Sequence, residues 1–460
     1  MNTMKQIALA SATLIMLTAC QSAPSADRAS LDTAIAIRDL PEAFASSPAQ
    51  NVKVANGWIG TFGDPVLSGL VAEAQVRNPS VQILRANVAE ARALSRQARS
   101  ARFPQVTASL AADRSGTQDS RPVSALSLGL DVAWEADVWG RLSSQQSAAQ
   151  ASLGALEADL TGAQNLLAAQ VASAYALAIE LAHQEEILAQ VVASLEEIQR
   201  IVLAREDAGL ASRQDVALAT ADLANAQESL KDIQGARRQA LRSLELLIGR
   251  FPKAEADVAA EMPTIPNEPA TGLPSELLER RPDLIAAERR IAAAADSLDL
   301  AKAAKLPSLQ LSSSVGGASN ALQDVLSPSN LAWRTGSALL APLFTAGRLQ
   351  AEQVAAEARL DASVQAYLQT ALTAFSEVEG ALDQRAIIDA RLSDATLAAK
   401  SNQEAFDIAV ARFDVGETDL LDVLTIQQRL LQSQSGVATL RRTQIDQFIA
   451  LSLALGGEWS

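Results

Sequence analysis

The chain is one pattern written twice, and this limits its fold more than any other feature. Asn78-Pro79 and Arg281-Pro282 each open a helical pattern, and Phe103-Pro104 and Leu306-Pro307 each close it. Pro79 recurs as Pro282 and Pro104 as Pro307, both 203 residues on. From Gly140-Arg141-Leu142, which matches Gly347-Arg348-Leu349, the offset becomes 207 and then holds without a gap. Ala204-Arg205 matches Ala411-Arg412, Gly209 matches Gly416, Asp215-Val216 matches Asp422-Val423, and Gly249 matches Gly456. Chance identities do not keep one offset over so long a stretch. The four-residue change falls between the expected strands, where a loop can vary in length.

Each repeat reads in the same order. Residues 79–102 carry Val81, Leu84, Val88, Ala91 and Leu94 at helical spacing, and Pro104 stops that helix because proline lacks the N–H and restricts its predecessor. Residues 105–114 then alternate, with Val106, Ala108 and Leu110 on one face. After a polar loop, residues 124–134 alternate more cleanly: Leu126, Leu128, Leu130, Val132 and Trp134 share a face, and Ser127, Gly129 and Asp131 share the other. About ten alternating residues ended by an aromatic suit a transmembrane β-strand; an amphipathic soluble hairpin has the same local pattern. In the second repeat Leu309, Leu311 and Val315 alternate with serines, and a weaker return strand runs from Trp333 through Leu339 to Leu343.

A proline-free, alanine- and leucine-rich helix follows each hairpin, over 141–204 and 348–411. Each would span roughly 95 Å. Gly209 and Gly416 mark the reversals, and shorter helices return over 213–248 and 420–455. The return helix and the helix before the strands together nearly equal the long helix, so the two can stack end to end and pair with it as an antiparallel coiled coil. The expected divisions are 1–19, a signal segment; 20–77, a tether and first helical region; 78–249, the first repeat; 250–280, a Pro-rich linker; and 281–460, the second repeat.

The first residues set the compartment. Lys5 precedes a short apolar run, Ile7 to Ala19, of secretory-signal type. The run ends Leu17-Thr18-Ala19-Cys20, which resembles the bacterial lipobox, and Cys20 is the chain's one cysteine. That resemblance implies an S-diacylglyceryl group and an N-palmitoyl chain on Cys20, firm where a single acyl chain is marginal. Gln21 in place of aspartate points to the outer membrane. One cysteine and one histidine, His183, leave no disulfide and no structural zinc set, and no metal or other cofactor is expected. A net charge of −15 argues against nucleic acid as a partner. His183 reads as a seam or surface residue of a long helix, and Glu185-Glu186 and Glu196-Glu197 as solvated helix faces. No nucleophile motif or phosphate loop is present, so no enzyme is expected.

Four strands cannot close a barrel, and an open edge in lipid leaves backbone groups unpaired at several kcal/mol each. The chain must therefore oligomerise; strand count alone does not choose between two copies and three. Gly272-Leu273-Pro274-Ser275-Glu276-Leu277-Leu278-Glu279-Arg280-Arg281-Pro282-Asp283-Leu284 resembles the opening of the second repeat in the TolC/OprM (NodT-type) outer-membrane efflux lipoproteins. Trp58…Phe62-Gly63-Asp64-Pro65, Trp139-Gly140-Arg141, Ala346-Gly347-Arg348-Leu349 and the Ala454-to-Trp459 ending are similar to that family's elements, in order. The resemblance implies a mainly α fold with a small β part: tandem-duplicated long helical hairpins forming a periplasmic barrel, and four strands per chain in a twelve-stranded trimeric outer-membrane β-barrel. It implies a homotrimer that meets a periplasmic adaptor and an inner-membrane transporter and exports small toxic compounds. The alternative is a periplasmic adaptor lipoprotein, which should carry one helical hairpin between β-rich segments. By the same resemblance the tips at Arg205, Gly209, Arg412 and Gly416 dock the adaptor, and Leu421 and Asp422 form a periplasmic gate. Thr425 stands where the family has a second aspartate, and Phe413 where it has tyrosine. Read locally, Asp422 is also an ordinary helix-start carboxylate.

Overall fold

The structure is a computed structural model that describes residues 44–45, 56–118, 122–265 and 274–459. Cys20, the signal segment and most of the expected tether lie outside the described residues, as do the linker residues 266–273. The described elements run α1 (Trp58–Thr61), α2 (Pro65–Arg77), α3 (Pro79–Ser100), β1 (Gln105–Ser115), β2 (Val123–Ala136), α4 (Arg141–Asp207), α5 (Arg213–Leu247), α6 (Pro274–Arg280), α7 (Pro282–Ala303), β3 (Ser308–Ser319), β4 (Leu331–Leu340), α8 (Arg348–Asp414) and α9 (Leu420–Ala454). A short 3-10 turn, Leu322–Asp324, lies between β3 and β4. The chain forms two compact units, one including Ala86–Ala158 and Ile285–Thr370, the other including Asp39–Arg85, Asp159–Leu284 and Ala371–Ser460.

The duplication appears in the backbone. Gly140 and Gly347 (φ 74° and 83°), Gly209 and Gly416 (74° and 79°), and Gly249 and Gly456 (75° and 70°) are all left-handed at matching positions. Gly249 has a second constraint: a Cβ there would lie 2.7 Å from the Arg77 carbonyl oxygen.

The first unit holds a four-stranded antiparallel sheet in the order β1-β2-β3-β4. Register aligns the faces: Leu110 opposes Leu128, Leu130 opposes Val315, and Val315 opposes Trp333. Opposed residues share a face, so one side of the sheet is apolar across all four strands, while Ser109, Asp131, Ser314 and Arg334 fall on the other. This resolves the noisy second hairpin, whose Ser313 and Thr335 sit among apolar neighbours on the first face. The return strand stops at Leu340 instead of running to Leu343, because Pro342 follows and cannot donate to the ladder. β1 and β4 each pair on one side only.

At the foot of the sheet Asp137 accepts from the backbone N–H groups of Leu142 and Ser143 and caps α4, and the Trp139 indole donates to the Pro307 carbonyl. Arg92 and Ser95 of α3 meet Glu157 and Gln150 of α4.

In the second unit α5 pairs with α4 through Gln234 and Arg237, both on Glu185. α9 meets α4 through Arg442 and Thr439 on the buried Glu180. Its main core gathers α1, α2 and the middle of α4 around Val71, Val171, Tyr175 and Ile179, with the Phe62 and Phe448 rings edge to face at 5.1 Å. The Tyr175 hydroxyl donates to Asp64, the N-cap of α2, and accepts from the Ala259 N–H in the segment after α5. One window of α4 is apolar enough to cross a membrane, but over half of it is buried inside the chain, and packing against this core accounts for it. Within the expected linker, Pro274 opens the short helix α6, which the sequence reading did not anticipate.

Candidate functional site at the helix reversals

The two reversals are near copies. After α4, Gly209 turns the chain and the Leu210 N–H donates to the Arg205 carbonyl at 2.7 Å; after α8, Gly416 turns it and the Glu417 N–H donates to the Arg412 carbonyl at 2.8 Å. This six-to-one bond with a left-handed glycine closes orphan helix carbonyls. Ser212 then caps α5, in a capping box with Asp215. Asp419 caps α9 by accepting from the Asp422 N–H at 2.9 Å.

Beneath them lies an apolar cluster of Leu195, Ile198, Val202, Ala219, Phe413, Leu420 and Val423. Across it the repeats differ. Arg205 reaches over, donating to the Phe413 and Asp414 carbonyls at 2.5 and 3.2 Å, with its guanidinium 4.3 Å from the Phe413 ring centroid. Its counterpart Arg412 stays exposed, 3.6 Å from Glu417 in its own loop.

Leu421, Asp422 and Thr425 share one exposed side of the first turns of α9, opposite the buried Val423, Gln427 and Leu430. Leu421 is 61% exposed. Asp422 accepts from the Thr418 hydroxyl at 2.9 Å, and the Thr425 hydroxyl donates back to the Leu421 carbonyl at 2.7 Å. Leu421 and Thr425 also line a groove of about 480 Å³ with Leu188, Leu218, Asp222 and Leu431. Burial there pushes the Asp222 carboxyl above its ordinary value. Asp222 carries no signal of its own in the sequence. The 207 offset sets it opposite Arg429, so it is a carboxylate peculiar to α5. Among the described residues no cluster of His, Cys, Asp or Glu could hold a metal ion.

The family described as outer membrane efflux protein matches residues 70–250 and 273–457. The chain belongs to the outer membrane efflux protein family. The pyoverdine export outer membrane protein OpmQ of Pseudomonas aeruginosa is 31% identical over 99% of this chain and 97% of its own length. The toluene efflux pump outer membrane protein TtgF of Pseudomonas putida is 31% identical over 90% of this chain and 87% of its own. Among solved structures, the outer-membrane channel OprN superposes with a TM-score of 0.84 at 28% identity, over 92% of this chain and 97% of that one. The open-state MtrE channel of Neisseria gonorrhoeae gives 0.84 at 26%, over 92% and 96%. This efflux protein is therefore an outer-membrane channel component of an efflux pump, with its four strands in the outer-membrane barrel of a trimer and its helices in the periplasm. The adaptor alternative is set aside, since these relatives are outer membrane proteins and these neighbours are channels.

Proposed function

We propose that three copies form the exit duct of a tripartite pump, receiving cargo from an inner-membrane transporter through a periplasmic adaptor seated at the helix reversals. The carrying observation is the sheet: apolar on one face, polar on the other, and unpaired along β1 and β4. Copies joined edge to edge satisfy those strands in lipid and enclose the polar face. The cargo is small toxic molecules, in keeping with the relative named for toluene efflux. The duct performs no chemistry; it lowers a permeability barrier. Leu421, Asp422 and Thr425 form its periplasmic gate, and the groove containing Asp222 extends that gate onto α5. Diacylglyceryl and N-palmitoyl groups on Cys20 anchor the chain beside the barrel.

The test is outer-membrane fractionation with SDS-PAGE of heated and unheated samples, followed by planar-bilayer recording. A heat-dissociable trimer that conducts is the expected result. A monomer in the soluble fraction overturns the reading. Labelling with radioactive palmitate, with Cys20→Ser as control, tests the anchor separately.

A further inference from the structure

We propose that the arginines at the end of α3 form a docking surface for anionic phospholipid headgroups at the periplasmic boundary of the outer membrane. Arg92, Arg96, Arg99 and Arg102 recur at helical spacing, are all exposed, and have no acidic residue among them between Glu90 and Asp113. In a chain of net charge −15 this is an isolated basic stretch. Arg92 pairs with Glu157 at 2.8 Å. Arg102 has only the neutral Gln146 amide oxygen, at 2.9 Å, and Arg96 only the Arg92 carbonyl, at 3.4 Å. Among the described residues none of Arg96, Arg99 and Arg102 has an ion-pair partner.

The duplication provides an internal control. The corresponding positions of the second repeat are Asp299, Lys302 and Lys305. There Lys302 pairs with Asp299 at 3.4 Å, and Lys305 is held by Gln350 and Gln353, both at 2.6 Å. One repeat satisfies these cations internally; the other leaves them for something outside the chain.

Their position names that partner. β1 begins at Gln105, and the Trp134 indole of β2 donates to the Arg102 carbonyl at 3.0 Å. An indole at the foot of a membrane strand marks the interface, and Phe103 beside it is 56% exposed. The headgroup layer is roughly 5–7 Å thick on each side. Along the helix Arg99 and Arg96 lie roughly 5–10 Å beyond Arg102 at most, and long arginine side chains can reach back toward the boundary. A guanidinium binds a phosphate in bidentate fashion, and juxtamembrane basic clusters select anionic headgroups. The inference rests on the strands lying in the outer membrane.

The experiment uses the purified full-length trimer in neutral detergent, with lipid adducts counted by native mass spectrometry. Phosphatidylglycerol should be retained over phosphatidylcholine. Arg96→Gln/Arg99→Gln/Arg102→Gln should lower that preference by about tenfold or more, and Arg99→Gln alone, which breaks no hydrogen bond or ion pair in the structure, by about fivefold. Lys302→Gln/Lys305→Gln should retain it. No preference in the wild type overturns the proposal, as does a preference unchanged in both arginine variants. So does a triple variant that loses only sedimentation with purified peptidoglycan, which would assign the surface to the cell wall. If the triple variant fails to assemble, Arg99→Gln alone decides.

Discussion

The Arg205 guanidinium stacks on the Phe413 ring and donates to that residue's own carbonyl, tying the first helix reversal to the end of the second long helix. A cation on a helix C-terminus and over an aromatic face contributes about 1–2 kcal/mol. Its repeat counterpart Arg412 makes no such link across the reversals and is mostly exposed. Arg205→Ala should therefore loosen the tip and raise single-channel conductance, while Arg412→Ala leaves the link between the two reversals intact. Planar-bilayer recording checks this; conductance unchanged in Arg205→Ala would remove the contact from any role in closure.

The proposed gate calls for variants that respect the local bonds. Leu421 is mostly solvent-facing in the single chain, so Leu421→Ser should change stability by less than about 0.5 kcal/mol, and its effect on current can be read directly. Exposed carboxylates about 6 Å apart repel by under 1 kcal/mol per pair in water, so an apolar leucine ring should dominate closure and its loss should raise conductance. Asp422 holds the Thr418 hydroxyl. Asp422→Asn keeps an acceptor there while removing the charge, and should lower cation selectivity at nearly constant conductance. Reversal potentials in asymmetric salt measure this; both parameters at wild-type values in both variants would return these residues to the role of an ordinary helix start.

Asn78 and Arg281 occupy the same place in the two repeats and do one job with different chemistry. Asn78 donates to the Leu247 carbonyl at the end of α5, and Arg281 to the Ala454 carbonyl at the end of α9, at 2.8 and 3.1 Å. Arg281 is buried and also bonds Asp283 in bidentate fashion and Glu377. Arg281→Ala abandons the helix end and should lower trimer stability by about 2–3 kcal/mol. Arg281→Asn copies the first repeat and should recover about 1 kcal/mol of that. Thermal dissociation of the trimer on SDS-PAGE ranks them, and equal losses in both variants would mean that the helix-end bond is not the important one.

What could be read in advance was local. Pro79, Pro104, Gly209 and Gly416 announce their own turns and stops, so helix ends fall within a few residues of the pattern. The first hairpin was legible because Leu126 to Trp134 alternate strictly. The second is fainter but still legible, because Ser313 and Thr335 interrupt its apolar face; its register comes from pairing with β2, as in Leu130 opposite Val315. No local signal encodes that pairing. The same holds at the tips: both glycine turns were visible, whereas Arg205 on Phe413 and Asp222 in the groove depend on residues brought from the other repeat. Pro274 opens a helix that the proline density of 250–280 conceals, although proline is a favoured first residue of a helix.

The last prediction concerns acid. Glu245 is buried near the end of α5 and accepts from the Ala254 and Glu255 N–H groups at 2.7 and 2.6 Å. The Ala254 backbone is left-handed, φ 64°, which helps successive N–H groups converge on one anion. Burial opposes the charge, but the N–H groups of residues 253–256 together outweigh it and hold the carboxyl below its ordinary value. A carboxylate lowered on folding stabilises the native state above its unfolded pKa. That contribution is lost as pH falls from about 4.5 through the lower folded value. Glu245→Gln keeps the shape but turns charge-assisted bonds into neutral ones and places an NH₂ against N–H donors. It should cost about 2 kcal/mol at neutral pH. As pH falls through that lowered folded value the wild type also loses the charge, so the gap between the two proteins should narrow below about pH 4.5. Chemical unfolding of the detergent-solubilised trimer followed by tryptophan fluorescence, from pH 7 down to pH 3, gives both curves. A gap between them that stays constant across that range would mean that the carboxylate charge contributes nothing and only its shape matters.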